Sequence, residues 1–206
     1  MKSVTIKYIL VGFTILVGII TCIHPVFPTE QFLQHVGTLA LLFMLVFDLK
    51  KNQLSLTAFT GLVLFTLLHI IGARYIYSYV PYNEWCKSIF HIDVNALFHT
   101  SRNHFDRIVH FSFGAMFFPY VYELLDGKKG LNVFMKIIIA WMCIQTASML
   151  YELFEWTLTL VLSSEAANDY NGQQGDMWDA QKDMVLALLG STISAIGYLI
   201  KKRQER

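Results

Sequence analysis

Long apolar runs constrain this chain more than any other feature. They recur along its 206 residues, mostly about 17–25 residues at a time, the length an α-helix needs to cross a hydrocarbon core about 30 Å thick. A soluble domain of this size would alternate apolar and polar stretches far more often. The runs place spans near Tyr8–Ile23, Phe32–Phe47, Leu54–Arg74, Asp106–Leu125, Val133–Leu162 and Asp183–Ile200. The expected fold is all-α: a single polytopic transmembrane helical bundle of six helices over residues 1–206. The fifth run, about 30 residues long, must tilt, kink or protrude. The first follows Lys2 and Lys7 like a signal peptide, but no small-residue cleavage site follows and Thr21 before Cys22 suits lipoprotein processing poorly. It is read as a retained span.

Lysine and arginine set the orientation. One set of helix ends holds Lys2, Lys7, Lys50, Lys51, Lys128, Lys129, Lys136, Lys201, Lys202, Arg203 and Arg206; the other holds Arg74, Lys87, Arg102, Arg107 and Lys182. The first set should be cytoplasmic, with both termini inside, which requires an even number of spans. The formal net charge of +1 and the lack of a basic, aromatic-studded soluble segment point away from nucleic acid. The bilayer is the expected environment.

Histidines and acids reverse the pattern. All seven histidines and eleven of the fifteen carboxylates lie on the outer side. So do two long connections, near residues 75–105 and 163–182. The aromatic content of the first argues for structure rather than disorder. Trp85, Trp156 and Trp178 suit an interfacial aromatic belt. Cys143 reads as a small core residue; a Cys22–Cys86 disulfide stays open, since spacing alone does not decide it.

Four polar clusters fall at one depth. They are His69 to Arg74 closing the third span, Asp106, Arg107 and His110 opening the fourth, Glu152 and Glu155 closing the fifth, and Asp176, Asp179, Gln181 and Asp183 leading into the sixth. Asp106 and His110 are i, i+4 and share a helix face, as Glu152 and Glu155 do at i, i+3. Gln145 and Ser148 carry the fifth helix's polar stripe deeper. Below Asp183 the face continues as Ala187, Gly190, Ser194 and Gly197, small residues that allow close helix contact in a membrane. Glu152 and Asp183 lie inside their spans, where a lone carboxylate is expensive and normally faces a cavity or a partner.

The strings His69…Gly72-Ala73…Tyr75, Asp106-Arg107…His110-Phe111, Tyr151-Glu152…Glu155-Trp156 and Gly175-Asp176…Trp178-Asp179…Gln181…Asp183-Met184 resemble those of the YjdF-like family of bacterial inner-membrane proteins. That resemblance runs from about Leu54 to Gly197 and implies a location rather than an activity. The order of an Asp-basic-x-x-His element, a Glu and a spaced-Asp helix is also similar to VanZ-like membrane proteins. The chain lacks the Asn those proteins carry in the last helix.

Three functions fit these residues. The first is an enzyme of the outer leaflet acting on a lipid or lipid-linked substrate. His110, Glu152, Glu155, Asp179 and Asp183 would then be the reactive set, or hold a divalent cation. His69, Arg74, Asp106, Arg107, Asp176 and Gln181 would bind substrate, the arginines gripping phosphate. The second is a small transporter built on the Gln145–Ser148–Glu152 stripe. The third is a non-catalytic protein assembling with a partner, its polar groups forming a structural ion-pair network in which Arg107 faces Glu152. No nucleophile motif, phosphate-cradling loop or dinucleotide fingerprint is present.

Overall fold

A computed structural model of the chain describes residues 2–161 and 173–204. The first part of the second outer connection and the last residue of the fifth expected span lie outside the described residues. Those described form eight helices: α1 Lys2–Thr21, α2 Pro28–Lys51, α3 Leu56–Tyr75, α4 Tyr82–Phe90, α5 Val94–Leu97, α6 Phe105–Leu124, α7 Val133–Val161 and α8 Asp179–Gln204. The chain is a polytopic helical bundle, and the 75–105 connection is structured, as its aromatics suggested.

Five helices (α1, α2, α3, α7 and α8) are long and apolar enough to cross a membrane. α6 has the length, 20 residues, but not the apolarity. The reason is positional: α6 packs against α3, α7 and α8, so its polar residues meet protein rather than lipid. α1, α2 and α3 form one group, α6, α7 and α8 another, and α3 against α6 joins them. At 1.5 Å per residue, α7 with 29 residues is about 43 Å long, so it overreaches the hydrocarbon core.

Local chemistry explains the tight α6–α8 seam. A Cβ on Gly114 would lie 2.1 Å from the Ala187 carbonyl oxygen, and one on Gly190 would lie 2.2 Å from that of Phe111. Backbone therefore touches backbone. Pro119 inside α6 has no N–H to offer the Ala115 carbonyl one turn earlier; Ser194 of α8 donates its hydroxyl to that carbonyl at 2.7 Å. The small-residue stripe thus behaves as expected down to Ser194. Gly197 does not belong to it, with nothing within 4 Å of a Cβ there. Cys143 also departs from expectation, being exposed on α7; all three cysteines are free, so no disulfide joins Cys22 and Cys86.

At the basic end Lys7 and Asp48 pair at 2.7 Å while only 1% and 4% exposed. The ammonium also donates to Asn52 Oδ1 and the Leu54 carbonyl, and Asp48 Oδ1 accepts from the Gln53 and Leu54 N–H groups. One buried pair therefore ties α1 to the turn between α2 and α3. Glu123 of α6 accepts from Ser55 N–H, Ser55 Oγ and Tyr198 Oη, joining α3 and α8 to α6 at the same end.

Candidate functional site

At the opposite, acidic end the polar residues separate into two groups. The first is an ion-pair clamp in which three cations meet two carboxylates. Arg107 Nη2 donates to Asp176 Oδ2 at 2.9 Å and to Asp179 Oδ1 at 2.7 Å. Arg102 Nη2 reaches the same Asp179 oxygen at 2.5 Å, and Lys182 reaches Asp176 at 2.6 Å. The clamp fastens the start of α8 to the start of α6. Sequence spacing had missed Arg102, which sits in a loop with no helical period to place it. The Arg107–Glu152 pairing expected for a structural network is replaced by these contacts.

Asp176 lies in the connection ahead of α8. The Lys182 ammonium, then the Trp178 N–H, hold its carboxyl down at about 2, below the ordinary 3.8. A depressed carboxyl stabilises the fold fully above the unfolded value, and the contribution is lost as pH falls through the folded one. A 13C titration of Asp176 should therefore find a midpoint near 2, whereas a midpoint near 3.8 would show that the Lys182 contact does not form in solution.

The second group is rich in acid and poor in base. His110 Nε2 faces Asp106 Oδ1 at 3.6 Å and Glu152 Oε1 at 3.7 Å. Asp183 joins them from α8, and the ligand atoms of Asp106, His110 and Asp183 all lie within 4.8 Å of one another. Arg107 Nε approaches Asp183 Oδ1 only to 3.6 Å. Glu152 Oε1, Asp183 Oδ1 and the neighbouring Ser148 Oγ are buried with no hydrogen-bond partner among the described residues. Glu155 is half-buried one turn beyond Glu152 and takes a hydrogen bond from Tyr151.

A cavity of about 790 Å³ runs away from this group, within the range of small-molecule sites. α2 packs on α1 and α3, and α7 on α6 and α8, which leaves a groove between α2 and α7 floored by α3 and α6. Leu33, Val36, Leu41, Phe65, Phe113, Phe117, Phe154 and Leu158 line it, with Asp106, His110, Ser148 and His69 among its few polar residues. α2 is thus part of the wall, although none of the four polar clusters lies on it.

His69 closes one side. Its Nε2 lies 3.1 Å from the Gln34 carbonyl, which can only accept, so Nε2 carries the proton and Nδ1 takes the Tyr77 hydroxyl at 2.5 Å. Tyr77 reaches back because Ile76 and Tyr77 both adopt left-handed backbone, at φ 43° and 54°. This conformation is costly for a β-branched residue such as Ile76. The Tyr77 ring then covers Gly72, where a Cβ would lie 2.6 Å from it. That explains the His69…Gly72 spacing structurally.

Two expected site residues are elsewhere. Arg74 donates to the carbonyls of Thr21, Ile23 and His24, capping the end of α1; orphan carbonyls at a helix C-terminus attract a cation. Gln181 is exposed and lines a separate hollow with Gln145 and Met184, because it falls on the face of α8 away from Asp179 and Asp183.

Residues 6–203 match the family described as "Predicted membrane protein (DUF2238)". The chain belongs to this family. It is 30% identical over 156 residues to "Inner membrane protein YjdF" of Escherichia coli (strain K12), an alignment covering 74% of this chain and 69% of that one. No solved structure matches it. The family is one of membrane proteins, and the resemblance seen in the sequence strings is thereby confirmed at family level.

Proposed function

We propose that this member is an enzyme of the bacterial inner membrane acting at the extracytoplasmic leaflet on a lipid or lipid-linked, phosphate-bearing substrate. In this reading six helices cross the bilayer, both termini are cytoplasmic, and the acidic end faces out. The observation that carries it is the α2–α7 groove: an apolar cavity that ends on Asp106, His110 and Ser148, with Glu152 and Asp183 behind. Hydrocarbon would lie in the groove and the headgroup at the cluster, where His110 and Glu152 can hold or move a proton.

Arg107 is already engaged by three carboxylates and Arg74 of α3 is spent on the carbonyls at the end of α1, so neither is the phosphate grip that sequence spacing suggested. The surplus of acid calls instead for a cation. The transport reading gains less support, since Gln145 bonds Ser191 across the α7–α8 seam rather than continuing a path from Ser148. The network reading describes the Arg102–Arg107–Asp176–Asp179 clamp well but leaves the base-poor group unexplained.

The test uses the full chain in nanodiscs supplied with polyprenyl and diacyl lipid phosphates, with phosphate release and headgroup mass as readouts. Turnover should fall at least a hundredfold in Asp183→Asn at unchanged membrane level. Ala147→Trp, which fills the groove without touching the cluster, should lower lipid capture. Undiminished turnover in Asp183→Asn, or no capture of any phosphate lipid by the parent chain, would sink the reading.

A further inference from the structure

The geometry points to a divalent-metal centre held by Asp106 and His110 of α6 and Asp183 of α8, with Glu152 of α7 beside it. Its place in catalysis rests on the function proposed above, but its occupancy does not.

Three observations converge on it. First, the contacts within the group have the wrong length for hydrogen bonds. His110 Nε2 stands 3.6 Å from Asp106 Oδ1 and 3.7 Å from Glu152 Oε1, beyond the usual hydrogen-bond range. Two ligand atoms each about 2.1 Å from a small cation stand about 3.4 Å apart at a tetrahedral angle. The observed separations fit atoms facing a common ion better than atoms facing each other.

Second, the group contains buried acceptors with nothing to accept. Asp183 is 2% and Glu152 7% exposed, yet Asp183 Oδ1 and Glu152 Oε1 have no hydrogen-bond donor among the described residues. Ser148 Oγ, on a residue 3% exposed, is also without a partner on the same side. Buried polar atoms in native proteins are normally satisfied.

Third, the charges do not balance locally. Arg102, Arg107 and Lys182 are committed to Asp176 and Asp179. Among the described residues, Asp183 faces the distant Nε of Arg107, and Asp106 and Glu152 face His110. A bound dication would neutralise them and give a phosphate its counter-charge. One imidazole among carboxylates selects a first-row divalent ion such as Mn²⁺ or Zn²⁺ over Ca²⁺, which prefers oxygen alone.

The experiment titrates Mn²⁺ into the chelator-stripped full chain in nanodiscs of zwitterionic lipid, with no phosphate-lipid substrate present, and follows free Mn²⁺ by electron paramagnetic resonance. One ion per chain should bind, and affinity should drop at least tenfold in Asp183→Asn, His110→Ala and Asp106→Asn. Glu84→Gln, an exposed outer acid, should bind like the parent. Ca²⁺ should compete at least tenfold less well than Zn²⁺. Each variant's melting curve is recorded with and without ion. The parent should gain stability on adding Mn²⁺ and the three variants should not, so a variant of reduced stability still reports. Parent protein that binds no Mn²⁺ or Zn²⁺, or binding unchanged in all three variants, would overturn the inference. Binding without any lipid turnover would leave the centre standing and remove the enzyme reading; lipid turnover without bound metal would do the reverse.

Discussion

Gly190→Ala should be among the most damaging single-methyl changes in this chain. A Cβ there meets the Phe111 carbonyl oxygen at 2.2 Å and the Ala115 nitrogen at 2.8 Å. Both are backbone atoms of α6, which cannot swing aside as a side chain would. Alanine improves helix propensity by about 1 kcal/mol over glycine, but overpacking a close contact costs about 1–3 kcal/mol. An immovable backbone puts this site at the upper end, so the net effect is destabilising by about 2 kcal/mol. Gly114→Ala, facing the Ala187 carbonyl, should match it. Gly197→Ala, with open space around it, should be neutral or mildly stabilising. Thermal unfolding in detergent, with membrane level as a second readout, checks all three. Equal behaviour of Gly190 and Gly197 variants would refute the seam as described. The damage should also reach the acidic end, because the same seam brings Asp183 to His110.

Lys7→Met should cost still more. It leaves Asp48 charged and 4% exposed without its ammonium, and breaking a buried pair from one side costs about 3–5 kcal/mol. The Lys7 ammonium also loses three other interactions: Asn52 Oδ1, the Leu54 carbonyl and the face of Phe59, 5.0 Å away. Adding Asp48→Asn should restore more than half of the loss. The amide oxygen can still accept from Gln53 and Leu54, while the stranded charge is gone. The check is a double-mutant cycle on thermal stability; additive losses would show that the two residues do not interact.

Helical periodicity made much of this legible and also marks where legibility ended. It put Asp106 with His110 and Asp183 with Ala187 and Gly190 correctly, since residues on one face of one helix stay together whatever the neighbours do. It failed at Gly197, on the same stripe, because two crossing helices touch over a few turns and then diverge. Cys143 failed for a related reason: an apolar residue in a membrane helix can face lipid as readily as core. Asp179 and Asp183 looked equivalent at i, i+4 but divide between clamp and cluster, because Arg102 arrives from a loop that no period predicts. Arg74 sat at the right depth and reached the wrong neighbour, its length allowing it to cap α1. Lys7 read as a charge that orients the chain, and burial against Asp48 followed only once α1 lay against α3.

The seam between α6 and α8 bears on the order of synthesis. Arg107 finds its acids in Asp176, Asp179 and Asp183, with Asp179 lying 72 residues further along the chain, and the Ala115 carbonyl opposite Pro119 waits for Ser194, 79 residues later. Until the ribosome has made α8, α6 holds an unmatched cation and an open backbone acceptor. If six helices cross the bilayer, as proposed above, entry of α6 is coupled to the last helix, and a chain halted after α7 should leave α6 accessible to water-soluble labels.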